Sequence, residues 1–243
     1  MTLEFLSPGP SAVARSPMEP QALEAGARLE LRDGWQVVAS FDGIERERER
    51  LAQTVGFADS SQLGKIEIQA APGDVAAIVA GAGAAGLDLG RATRSADAWW
   101  CPYTRERAIV LCEPGDTAEL HETLDGAAGA AAGHATVLDV TTVFAALTIA
   151  GPLARETFAR FTALDLRPAV LPLHGFRPGS VARTPGAVLR EDEDRFLMLF
   201  GAALGQYVWT VVADAAGSLG GGPVGLDALE PLEDRLEGMI PSA

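Results

Sequence analysis

The sequence predicts an α+β domain with an internal duplication, and two segments of matching form carry the prediction. In residues 135–168, Val143, Ala145, Leu147 and Ile149 alternate along one face, as a half-buried strand requires. Gly151-Pro152 stops the run. Pro152 takes the first helical position, where its missing N–H costs nothing. The helix expected next turns Ala154, Phe158, Phe161 and Leu164 inward and Arg155, Glu156 and Arg160 outward, with Glu156 and Arg160 an i,i+4 pair. Residues 64–80 repeat the form. Ile66 and Ile68 alternate with Lys65, Glu67 and Gln69, and Pro72-Gly73-Asp74 opens a helix with Val75, Ile78 and Val79 inward.

The chain has 243 residues, enough for one large domain or two small ones with a sizeable core. Its 48% hydrophobic and 21% charged content are those of an ordinary globular protein. No apolar run approaches the roughly 18 residues of a membrane span, and the N-terminal stretch lacks the pattern of a secretory leader. Two cysteines, Cys101 and Cys112, make no disulfide framework, so a reduced, cytoplasmic protein is expected. A formal net charge of −14 opposes both nucleic acid and anionic membrane as partners. An anionic ligand would have to be met by a few locally placed arginines.

In chain order, residues 1–20 carry Pro8, Pro10, Pro17 and Pro20 and read as an extended arm before a domain over 21–243. Residues 35–41 (WQVVASF) read as a strand. Gly43 opens a helix with Ile44, Leu51 and Val55 inward and the run ERERER turned to solvent. Residues 56–64 (GFADSSQLG) read as a loop. GAGAAG at 81–86 spells G-x-G-x-x-G, but the segment before it continues the helix from Asp74 and the segment after it has no helical period. It is therefore read as an Ala/Gly-rich helix exit and loop, with a dinucleotide cradle, and so a nicotinamide or flavin oxidoreductase, as the minor alternative. Strands around Trp99-Trp100 and over 107–112 follow, then a helix from Asp116 or Thr117 through Leu124 and a low-complexity linker, GAAGAAAG. Beyond the central unit, residues 166–186 form a proline-interrupted loop. Residues 196–200 and 207–213 are two strands, or a strand and a helix. A flexible turn and a short acidic helix over 226–239 end the chain.

Strong catalytic signatures are missing: no nucleophile elbow, P-loop, HExxH or paired cysteines at metal-ligand spacing. His121, His134 and His174 are far apart in sequence and read as surface or loop residues, and the two cysteines as buried strand residues. Arg183, the acidic cluster Glu191, Asp192, Glu193 and Asp194, and Arg235-Leu236-Glu237 are the groups best suited to orient a polar ligand.

Several motifs in collinear order resemble the folate-binding aminomethyltransferase superfamily, which includes the glycine-cleavage T-protein and the γ subunit of heterotetrameric sarcosine oxidase. They run from SPMEPQALEAGARLELRDGW at 16–35 through VGFADSSQLGK, where Gln62 replaces the family's histidine, to the Asp-Val-Thr, strand, Gly-Pro-x-Ala-Arg helix of 139–164. LDLRP at 164–168 is similar to the γ-subunit type, and PVGLDALEPLEDRLEGM at 223–239 resembles the family's closing segment. The resemblance implies duplicated ferredoxin-like units around a tetrahydrofolate channel, without the T-protein's C-terminal barrel. Carried over residue by residue, it implies Glu193 as the folate-binding glutamate and Arg235 as the arginine near the ligand, both facing one internal cavity. Asp97 is the positional candidate for the catalytic aspartate, and Arg183 a further ligand contact. The family's Gly-Tyr-Thr-Gly segment is replaced here by LRED, and its Asp-Asp strand by ADAWWCPY. The resemblance thus implies either a one-carbon transferase with altered catalytic residues or a non-catalytic γ-type subunit assembled with the partner chains of a flavoprotein oxidase.

Overall fold

The computed structural model describes residues 12–84, 86–95 and 97–229. At the N-terminus, β1 (Ala14–Arg15), α1 (Glu19–Glu24), β2 (Arg28–Arg32) and β3 (Trp35–Ser40) make a small three-stranded sheet with one helix. Residues 1–11 of the expected arm lie outside the described residues. Its later part packs: β1 pairs parallel to β3, and Met18 is completely buried.

Next, α2 (Ile44–Gln53) carries the ERERER run, which is only partly solvent-facing. Glu47 is fully buried. Its Oε1 accepts from the backbone N–H groups of Phe41, Asp42 and Gly43 (2.7, 3.2 and 3.2 Å), and its Oε2 from that of Gly225 (2.6 Å). Backbone donors at the helix entry and in a distant loop need an acceptor, and the two oxygens of one carboxyl group serve all four. The segment expected to be a loop contains β4 (Gly56–Asp59), a strand buried along its length.

Two larger sheets follow. β5 (Gly64–Gln69) leads to α3 (Pro72–Gly81), β6 (Thr93–Ser95), β7 (Ala98–Pro102), β8 (Arg107–Cys112), α4 (Thr117–Gly129) and β9 (Thr136–Asp139). These strands form an antiparallel five-stranded sheet in the order β6-β7-β8-β5-β9. Helix α4 continues through the first half of GAAGAAAG, where alanines favour helix and Ala127 packs against the apolar cluster beneath α3 and α4. GAGAAG begins as the last residue of α3 and leaves it in a turn, with Gly83 and Gly86 at positive φ. Among the described residues no helix opens behind it, and β6 is the next element.

The second series is β10 (Phe144–Ala150), α5 (Ala154–Ala159), β11 (Phe176–Val181), β12 (Thr184–Asp192), β13 (Arg195–Gly201), α6 (Gly205–Gly217), β14 (Gly222–Pro223) and α7 (Leu226–Leu229). Its sheet has the order β11-β12-β13-β10-β4-β14, with only the β14–β4 pair parallel. The open alternative at 207–213 resolves as helix α6. Helix α5 is shorter than its pattern suggested and ends at Ala159, although Phe161 and Leu164 still pack on the core. Strand β10 begins at Phe144, leaving Val143 exposed, and is buried on both faces, not one.

Those two faces define the layers. On one side, Ala145, Leu147 and Ile149 join Phe158 of α5 and Val208, Trp209 and Val212 of α6. On the other, Ala146 meets Cys101, Ile109 and Leu111 from the five-stranded sheet and Leu197 and Leu199 from β13. Helices α3 and α4 close the far side through Val75, Ile78, Val79 and Leu124. The order is helix, sheet, sheet, helix. Among the described residues no helix is long and apolar enough to cross a membrane.

Candidate functional site

A cavity of about 470 Å³ opens where the two large sheets meet, within the range of small-ligand sites. One wall is the turn after β4, with Ser60, Gln62 and Leu63, together with Thr148 of β10. A second is Arg94, Asp97 and Trp99 from β6, β7 and the turn between them. Leu111, Cys112 and Glu113 contribute the end of β8. Glu191, Asp192 and Arg195 contribute the β12–β13 hairpin, and Leu226 and Leu229 one edge of α7.

The turn after β4 is held from several directions. Ser60 Oγ and Thr148 Oγ1 are 2.7 Å apart, and the Ser60 backbone N–H donates to the Ala146 carbonyl (3.0 Å). Asp59 Oδ1 accepts from the Ser61 N–H (3.0 Å), Ser61 Oγ from the Ala146 N–H (3.2 Å), and the Ser60 carbonyl from the Leu63 N–H (3.2 Å). Lys65 is completely buried and reaches back: its Nζ donates to the carbonyls of Ser61 (3.0 Å) and Leu63 (2.7 Å). Burial lowers its pKa to about 8, against the opposing pull of Asp59, Asp139 and Cys112. Burial also raises the carboxyl of Asp59, whose Oδ2 has no hydrogen-bond partner among the described residues, and the Cys112 thiol.

The hairpin presents its carboxylate through a β-bulge. Arg190 is paired with Phe196 and Asp192 with Arg195, which leaves Glu191 as the extra residue on β12. Bulges re-aim a side chain in this way. Glu191 Oε2 accepts from Arg195 Nε (3.1 Å), and Arg195 Nη1 reaches the Leu229 carbonyl (3.2 Å), tying hairpin to α7. Beneath them Arg190 is buried and staples the hairpin tip, donating to the carbonyls of Glu193 (2.9 Å) and Leu171 (3.1 Å). Trp99 offers an aromatic surface, with the Arg94 guanidinium 5.5 Å from its ring centroid and the His174 ring edge-on at 5.0 Å. Four carboxylates and two guanidiniums therefore surround the opening.

The expected site residues fall in different places. Asp97 lines the cavity from the turn between β6 and β7, exposed and at φ +56°, a left-handed conformation that aspartate tolerates better than most residues. Glu193 is exposed at the hairpin tip, next to the cavity-lining Glu191 and Asp192 but not itself among the lining groups. Arg183 is exposed in the β11–β12 turn and borders a separate cleft with Arg160 and Phe161. Arg235 lies outside the described residues, so whether it and Glu193 share a cavity is not addressed by them. Sequence reasoning missed Lys65, read as the outer face of a half-buried strand, and did not single out Glu191 at the bulge, two residues before Glu193, as a cavity-lining group. Nothing local marks either.

No family model matches the chain. An aminomethyltransferase of Acidobacterium capsulatum is 25% identical over 246 residues, covering 94% of this chain and 63% of the relative. One from a Nostoc species is 37% identical over 57 residues, 24% of this chain and 15% of that one. The glycine cleavage system aminomethyltransferase T of Bartonella henselae superposes with a TM-score of 0.77 at 17% identity, over 95% of this chain and 64% of that one. The chain is aminomethyltransferase-like in sequence and fold. A chain of the heterotetrameric sarcosine oxidase of a Corynebacterium species gives a TM-score of 0.63 at 20% identity, covering 72% of this chain and 92% of that one. This aminomethyltransferase-like chain thus spans less than two thirds of the length of the curated relatives it matches.

Proposed function

We propose that this chain binds a tetrahydrofolate-class ligand in the cavity between its sheets, as part of one-carbon chemistry of the glycine- or sarcosine-demethylating type. The observation that carries the reading is the cavity itself, at the meeting of two sheets in a fold that superposes on aminomethyltransferase T over 95% of the chain. The residues fit such a ligand. A pterin ring presents amino and ring N–H donors, which Glu191 and Asp192 can accept, and a flat face, which Trp99 can stack against. Arg94 at the rim suits a carboxylate tail. The folded order also supports duplication, because β5-α3-β7-β8-α4-β9 and β10-α5-β12-β13-α6-β14 are two strand–helix–hairpin–helix–strand units. We read both as ferredoxin-like, the second having β4 inserted between its first and last strands.

A bound tetrahydrofolate supplies the amine that accepts a one-carbon unit. On the protein side, Asp97 is the proposed proton-handling and electrostatic group at the rim, and Glu191 the proposed orienting group, in place of Glu193. Asp97 is solvent-exposed and stands on a short turn, so the reading includes weakened transfer relative to a buried, fixed aspartate.

Calorimetric titration with tetrahydrofolate tests this. Micromolar binding, about −8 kcal/mol, is expected, weakened at least tenfold in Glu191→Gln and little changed in Glu193→Ala. In Asp97→Asn, binding is expected to persist while any transfer activity falls. A second reading, a γ-type subunit of a heteromeric oxidase, is supported by the 92% coverage of the sarcosine oxidase chain. Absence of binding together with a co-purifying flavoprotein would favour it.

A further inference from the structure

We infer that Lys65 is a positioning residue for the ligand cavity: a buried internal strut that holds the wall formed by Ser60, Gln62 and Leu63 in its binding shape. The inference rests on the ligand reading above for its affinity consequence, but its structural part stands without it. Lys65 is fully buried, and among the described residues it has no ion-pair partner. Its ammonium is spent on the carbonyls of Ser61 and Leu63, two positions of the turn that carries Gln62 into the cavity.

A buried, unpaired charge is an expensive way to stabilise a fold, and an apolar side chain of the same length would serve the core better. Its directed bonds therefore point to order in the turn as its use. Gly64 leaves the strut no slack. A Cβ there would lie 2.1 Å from Thr117 Oγ1 and 2.7 Å from Cys112 Sγ, so strand and turn are fixed against α4 and β8. The Lys65 backbone N–H donates to Thr141 Oγ1 (3.0 Å), and its carbonyl accepts from the Val140 N–H (2.8 Å), securing the other edge. Gln62 and Leu63 touch the cavity, whereas Lys65 acts through them.

The test compares wild type with Lys65→Met by thermal melting, by amide hydrogen exchange at residues 60–64, and by titration with tetrahydrofolate. The expected result is a melting point within a few degrees of wild type, exchange at 61–63 at least tenfold faster, and affinity reduced at least tenfold. A merely structural lysine would shift the melting point with affinity unchanged, and that split, or unchanged exchange, overturns the proposal. If wild type binds no tetrahydrofolate, the ligand reading fails while the exchange data still decide the strut. Should Lys65→Met not fold, exchange in the wild type is followed from pH 7 to 9.5. The ammonium titrates there, faced by Asp59 of β4, Asp139 of β9 and Cys112 of β8. Protection at 61–63 must then fall relative to residues 66–68, and a parallel change in both overturns the inference.

Discussion

β5 and β10 hold equivalent places in their sheets, each followed by a helix and each hydrogen-bonded to the second strand of a hairpin. Their helix-facing sides are alike, with Ile66 and Ile68 on one and Ala145, Leu147 and Ile149 on the other. The opposite sides differ. β10 shows Ala146 and Thr148 to the sheet interface, while β5 places Lys65 and Glu67 there, both buried. Glu67 pairs with Arg107, whose guanidinium sits 4.9 Å from the Tyr103 ring centroid. One strand thus supplies core, and the other supplies core on one face and a polar framework on the other. Alternation of polar and apolar residues fixes which side chains share a face. It does not say that the polar face meets water.

The largest expected effect separates the two strands directly. Leu147→Ala removes a fully buried side chain from the helix-side core and should cost about 2–5 kcal/mol, read from the urea midpoint. Lys65→Met at the interface side of β5 should cost far less. Equal losses would mean that the charge on β5 is structural after all, and the contrast between the strands would collapse.

The corners after these strands give the next test. Ala71 precedes Pro72 in an ordinary extended conformation, with φ −60° and ψ 151°. Gly151 precedes Pro152 at φ +115°, and a Cβ there would stand 2.7 Å from the carbonyl oxygens of both Leu51 and Thr54. Gly151→Ala should therefore cost about 2–4 kcal/mol in chemical unfolding, combining backbone strain with overpacking. A loss below about 0.5 kcal/mol would be the ordinary surface value, and would show that the second corner is as permissive as the first.

These corners were legible in the sequence because Gly-Pro and Pro-Gly act locally. Strands over 35–40, 64–69, 98–102 and 107–112 and the helix from Pro72 were legible for similar reasons, through alternation and helix-start residues. What was not legible depends on partners distant in sequence. β4 contains Gly56 and ends at Asp59 and two serines, and becomes a strand only because β10 and β14 pair with it. Glu47 looks like one charge among six until the backbone donors of residues 41–43 and 225 close around it. The site suffered most. Its walls come from six separate stretches of chain, and the bulge that presents Glu191 arises from pairing with β13.

The polar side of β5 also makes a pH prediction with opposite signs for two neighbours. Burial raises the Asp59 pKa above the ordinary 3.8, so its stabilising protonation is complete below that value and lost as pH rises through the folded-state pKa. Asp59→Asn should gain on wild type in unfolding free energy as pH rises above the ordinary 3.8, by the linkage relation. Lys65 is shifted downward, so the cost of its charge is present below about 8 and relieved as pH rises from there toward the ordinary 10.5. Wild type should gain on Lys65→Met over that interval. A pH-independent difference for either variant would show that the corresponding group is solvated and not part of a buried polar face.

The smallest effect settles what GAGAAG does in the five-stranded unit. Gly81 ends α3 with a helical backbone, and a Cβ added there would meet only Ala127 Cβ, at an ordinary 3.6 Å. Replacing a helical glycine by alanine removes unfolded-state freedom without strain, so Gly81→Ala should stabilise by about 0.5–1 kcal/mol. A phosphate cradle would behave in the opposite way, because its glycines let the backbone approach a ligand and a methyl group would block that approach. The variant is therefore measured twice, by melting and by titration with NAD and ATP. A small rise in melting point with no nucleotide binding in either protein leaves Gly81 as a helix end packed toward α4. Nucleotide binding by wild type that Gly81→Ala abolishes would move the functional centre from the cavity beside β5 to the outer helix layer, and with it the reason for the polar face on that strand.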